Sequence, residues 1–176
     1  DKQSVINLSS TQGATVELFA NWTETSVSYI PTREGYTFDG WYKETEFTNK
    51  VEDTFTPTED ITLYAKWTAN TYTVTYNSNG GTTTPSSNEV TYDSSYGTLP
   101  IVDRVGYTFT GWYLNGIKIE DTTKVETASN HELLAKWTAN TYTIEFNANG
   151  GTGIMPTLIT MYDKNTVLTP NAFIKE

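Results

Sequence analysis

Four short segments of this 176-residue chain return further along it, most of them 70 or 71 positions on, and that periodicity limits the chain to architectures assembled from copies of one small unit. Ala69-Asn70-Thr71-Tyr72-Thr73-Val74 recurs 70 positions later as Ala139-Asn140-Thr141-Tyr142-Thr143-Ile144, and Asn79-Gly80-Gly81-Thr82 recurs at the same spacing as Asn149-Gly150-Gly151-Thr152. Gly35-Tyr36-Thr37-Phe38-Asp39-Gly40-Trp41-Tyr42 returns 71 positions on as Gly106-Tyr107-Thr108-Phe109-Thr110-Gly111-Trp112-Tyr113. The last segment occurs three times, as Leu18-Phe19-Ala20-Asn21-Trp22, Leu63-Tyr64-Ala65-Lys66-Trp67 and Leu133-Leu134-Ala135-Lys136-Trp137. Counted this way, residues 69–138 are one complete repeat and residues 139–176 the first half of another. Residues 1–68 make an atypical, shortened repeat, so the chain reads as a window on a longer array.

Within the complete repeat the pattern is that of strands. Tyr72, Val74 and Tyr76 alternate with Thr71, Thr73 and Thr75, the period of two expected when one face is buried. Asn79-Gly80-Gly81 and Asn149-Gly150-Gly151 supply residues that tolerate positive φ, which predicts hairpin turns. Residues 89–92 are then placed as a returning strand. Asp93 to Pro100 has room for one helical turn at most, given its Ser, Gly and Pro content. Gly111 inside a third strand predicts a bulge or a close backbone approach under Trp112. In the last strand Leu133, Ala135 and Trp137 share a face, and Lys136 points to solvent. A mostly β fold, α+β at most, follows.

These motifs, in this order and at this unit length, resemble the Listeria–Bacteroides repeat, the B-repeat of internalin-type surface proteins. The resemblance implies tandem small modules of ubiquitin-like β-grasp type with little helix, displayed outside the cell on a bacterial surface or cell wall, in an adhesin or a stalk. It implies no catalytic residues and no cofactor.

Composition narrows the chemistry further. A formal net charge of −10 without a Lys/Arg cluster argues against nucleic acid as a partner. The absence of Cys removes disulfides and thiolate metal sites, and no apolar run is long enough to span a membrane. His131 is the single histidine, so no Ser/His/Asp triad can be assembled, and it reads as a loop residue. Asp53, Glu59, Asp60, Glu120 and Asp121 read as solvated turn carboxylates without the spacing of a calcium loop. No metal site is therefore expected.

Two functional readings remain for the aromatic residues. Trp41, Tyr42, Trp112 and Tyr113 are the candidate binding residues, since exposed rings on a common face would stack on a host glycan or contact a host protein, and an exposed sheet edge would equally accept a strand from a partner. The alternative is that the neighbouring aromatics simply fill a small core, with Phe38, Trp67, Phe109 and Trp137 as its structural members. The expected function is a spacer and attachment module, not an enzyme, whose partners are the neighbouring repeats of the same chain. For the shortened repeat, residues 16–22 are expected to serve as its first strand, paired with residues 27–30 and 61–67.

Overall fold

The computed structural model describes residues 30–52 and 54–175, nearly all within one compact unit, Pro31–Glu176. The strand expected at residues 16–22 lies outside the described residues. Among those described the fold is all β: β1 (Tyr36–Tyr42), β2 (Tyr64–Ala69), β3 (Thr71–Asn77), β4 (Thr82–Thr83), β5 (Ser87–Thr91), β6 (Val102–Asp103), β7 (Tyr107–Leu114), β8 (Ile117–Ile119), β9 (His131–Ala139), β10 (Thr141–Ile144) and β11 (Leu158–Met161).

The complete repeat builds one five-stranded sheet in the order β5-β3-β9-β7-β8. Its strands β3 and β9 run parallel from Val74↔His131 to Asn77↔Leu134, and every other pairing in the sheet is antiparallel. Parallel neighbours need a long crossover. Residues 78–130 provide it, and they contain the remaining strands of the sheet. The inward residues Val74, Tyr76, Val90, Trp112, Ile119, Leu133 and Ala135 pack with Val102 of β6 and with Tyr96 and Val125 from the connections into a single core. Flanking copies repeat parts of this plan. β1 and β2 pair as β7 and β9 do, Phe38 opposite Trp67 matching Phe109 opposite Trp137. β10 and β11 pair as β3 and β5 do, Thr143↔Ile159 matching Thr73↔Glu89.

The glycine in the third strand produces the expected bulge: the register slips between Phe109 and Gly111, and at the equivalent Phe38 and Gly40. The close approach there is made by a lysine stem, Lys118 over Gly111 and Lys50 over Gly40, instead of by Trp112.

Two local expectations need correction. Asp93 to Pro100 contains no helical turn; residues 93–97 run beside 121–125, with Asp93 N–H donating to Val125 O at 2.9 Å and Tyr96 N–H to Thr123 O at 3.0 Å. Those bonds satisfy backbone groups that a helical turn would have satisfied internally. The Asn-Gly-Gly segment does turn, with Asn79 at φ 48°, Gly80 at φ 87° and Gly81 N–H donating to Ser78 O at 3.1 Å. It is not the hairpin turn between β3 and its partner, however. It leads into β4, which pairs with β6, and the chain returns to β3 only at β5.

Candidate functional site

The bulge decides where the aromatic candidates point. Trp112, one residue past the register slip, is 1 % exposed, with its Nε1 donating to Pro100 O at 3.0 Å and its ring tilted against Tyr76 and edge-on to Phe109. Tyr42 is buried as well, and neither residue offers a face to a ligand. Trp41 is half-buried, edge-on to Phe38. Tyr113 is half-buried, and the Lys136 ammonium sits 4.0 Å from its ring centroid. The four candidates therefore do not form a shared exposed platform: burial removes Trp112 and Tyr42, and a lysine occupies the face of Tyr113.

The residues assigned to the core, Phe38, Trp67, Phe109 and Trp137, are all half-buried. Phe109 and Trp137 lie at the margin of the central core, their rings tilted together at 5.3 Å, and Trp137 Nε1 donates to Ser78 O at 3.0 Å. Phe38 and Trp67 repeat that aromatic pair at 5.4 Å. Gly81 leaves room for the Trp137 indole, since a Cβ there would stand 2.7 Å from Cζ2.

His131 is not a loop residue. It opens β9, with Nδ1 2.8 Å from Ser129 O and Nε2 2.7 Å from the Tyr96 hydroxyl. A carbonyl only accepts, so Nδ1 carries the hydrogen, and in the neutral ring Nε2 accepts from the tyrosine. No cluster of three or more His, Asp or Glu side chains suited to a metal occurs among the described residues, nor does a helix long and apolar enough to cross a membrane.

The most elaborate polar geometry lies where one copy meets the next. β2 and β3 are separated by Asn70 alone, and β9 and β10 by Asn140 alone. Asn70 N–H donates to Gly35 O at 2.9 Å, its carbonyl accepts from Tyr92 N–H at 2.9 Å, and its Oδ1 accepts from the Thr37 hydroxyl at 2.6 Å. Asn140 repeats all three bonds, with Gly106 O at 2.9 Å, Tyr162 N–H at 2.8 Å and the Thr108 hydroxyl at 2.7 Å. The same rings close both joints. Tyr36 and Tyr92 meet edge to face at 5.6 Å, and Tyr107 and Tyr162 at 5.5 Å. Arg33 and Arg104 lie over Tyr36 and Tyr107, at 3.7 and 3.9 Å from the ring centroids. Each joint thus ties residues of two copies to one asparagine. The signal for it was present in the sequence, as the recurrence of Asn70 at 140 and of Tyr92-Asp93 at 162–163.

The first joint carries an ionic addition. Asp93 accepts from Lys124 Nζ at 2.7 Å and from the Tyr36 hydroxyl at 3.1 Å, so its carboxyl is held below the usual carboxylate value, chiefly by the lysine and then by the tyrosine. The same pairing holds the Lys124 ammonium above its ordinary value.

Comparison with known proteins agrees with the periodicity. The family model of the Listeria-Bacteroides repeat domain matches three successive segments, residues 7–66, 72–136 and 142–176. Asn70 and Asn140 fall in the intervals between matches. The chain is 42 % identical over 120 residues to Internalin H of Listeria monocytogenes, covering 62 % of this chain and 20 % of that protein. It is 40 % identical over 129 residues to an Evansella cellulosilytica protein named "Putative membrane protein", covering 70 % of this chain and 19 % of the relative. The chain thus spans a fifth or less of the length of these relatives. No solved structure matches it significantly.

Proposed function

Because the chain belongs to the Listeria-Bacteroides repeat family, we propose that it is the spacer and attachment region of a bacterial surface protein. In this reading, tandem β-grasp modules hold another region of that protein away from the envelope and perform no catalysis. The observation that carries it is the joint: a single asparagine links successive copies, its N–H, C=O and side-chain oxygen are all bonded, and both joints have the same geometry. A flexible linker needs several free residues to act as a coil. Nearest-neighbour contacts that recur at each step are instead what stack repeats into a semi-rigid rod.

Three further observations support this reading. The sheet order, with the first and last strands of the repeat adjacent and parallel, supports reading the repeat as a β-grasp-type module with the irregular run beside residues 121–125 in place of a helix. The names of the relatives, an internalin and a membrane protein, fit display at the cell surface. The net charge of −10 favours solubility and mutual repulsion of neighbouring rods.

The test uses the absence of native cysteine. Nitroxide labels on Glu89→Cys and Ile159→Cys, equivalent exposed positions in consecutive copies, are expected to give one narrow distance distribution by electron–electron dipolar spectroscopy. A broad distribution of the width given by a flexible tether would overturn the rod.

A further inference from the structure

The chain enters the complete repeat through β3 and leaves it through β9, and these strands are hydrogen-bonded neighbours running in parallel. That arrangement puts the entry end of β3 and the exit end of β9 at opposite ends of their common seam. Tension along the array therefore draws β3 backward and β9 forward, so the bonds between them are strained together. Had the strands been pulled from the same end, the bonds would break singly, in succession.

Side chains lengthen this seam beyond its backbone ladder, which pairs residues 74–77 with 131–134. At one end Asn130 Oδ1 accepts the Thr73 N–H at 2.9 Å. At the other, Asn79 Nδ2 donates to Ala135 O at 3.1 Å, and Trp137 Nε1 donates to Ser78 O at 3.0 Å. Between them Asn77 Nδ2 donates to Glu132 Oε1 at 3.1 Å. Outside the seam β5 pairs with β3 and β7 with β9, so each strand of the seam is backed by a second strand.

We infer that the β3–β9 seam is a mechanical clamp, by which each repeat resists tension applied along the chain. The clamp is a property of one repeat and does not require stiff joints, so a failure of the rod and a failure of the clamp are separate results.

Single-molecule pulling on the full chain tests it, because rupture under force follows the barrier to unfolding and so reports how the bonds are loaded. Handles on Thr71→Cys and Thr138→Cys load opposite ends of the seam, and handles on Thr71→Cys and Ser129→Cys load the same end; all three positions are exposed. The expected result is a severalfold higher rupture force for the first pair, with a length gain on the order of 200 Å identifying the repeat. Equal forces, or a higher force for the second pair, would overturn the clamp. Asn79→Ala with Asn130→Ala is expected to lower the force in the first geometry far more than in the second. An equal fall in both would remove these side chains from the clamp and reduce them to general stabilisers.

Discussion

The ring of Tyr162 covers Gly106 so closely that a Cβ built on the glycine would fall against Cγ, Cδ1 and Cδ2, and Tyr92 covers Gly35 in the same way. Both glycines also have left-handed φ, +76° and +74°. Gly106→Ala therefore meets a steric and a conformational obstacle at once, the latter alone worth about 1–2 kcal/mol. Because the contact joins two copies, the expected outcome is a loosened joint above an intact core. The nitroxide distance distribution between positions 89 and 159 should broaden while the unfolding midpoint of the central sheet changes little.

Burial separates the two tryptophans of the complete repeat. Trp112→Ala is expected to destabilise the sheet by about 3–5 kcal/mol, the range for truncating a buried large aromatic. That is a large share of the stability of any small domain. Trp137→Ala, at the core margin, should lose roughly 1–3 kcal/mol. Urea unfolding of the two variants checks the order, and a larger loss at Trp137 would place the centre of the core elsewhere.

Gly81 is needed for space. Its φ is ordinary, but a Cβ would stand 2.6 Å from Asp103 O and 2.7 Å from the Trp137 ring. Gly81→Ala is expected to displace the indole or separate β4 from β6, destabilising by about 1–3 kcal/mol as overpacking does. Loss of the Trp137 near-ultraviolet signal ahead of global unfolding would be its signature.

The ionic component of the first joint should respond to acid. The Asp93 carboxyl is depressed in the folded chain, so its contribution is present in full above its unfolded value, near pH 4, and is lost as pH falls through the lower folded value. The Lys124 ammonium is raised, so its share is present in full below the ordinary lysine value and disappears only as pH rises through the higher folded value. A carboxyl titration by NMR should find Asp93 with a midpoint below that of free aspartate, moving upward in Lys124→Met. The pair is solvent-exposed, so the effect on stability is small.

Much of this architecture was legible in residue order. The alternation around Val74 gave a strand with its buried face, and Gly111 gave the bulge, because both are local to one strand. The depth of Trp112 relative to Trp137 was not legible, since the slip at Phe109–Gly111 changes the phase of everything after it. The Asn-Gly-Gly segment had the backbone preferences of a hairpin, but its partner strand was chosen by contacts between β4 and β6, distant in sequence. The short Thr-Ala-Asn-Thr links were legible, but the bonds of the joint escaped for a related reason. Asn70 binds Gly35 on one side and Tyr92 on the other, and a pattern read within one repeat does not connect residues of two.

That sharing across copies governs how such an array can change in length. The components of a joint recur with the period of the repeat, so a duplication or deletion of one whole period rebuilds complete joints wherever its ends fall. Recombination between repeats can therefore lengthen or shorten the protein in steps of one copy, each step inheriting an interface that already fits.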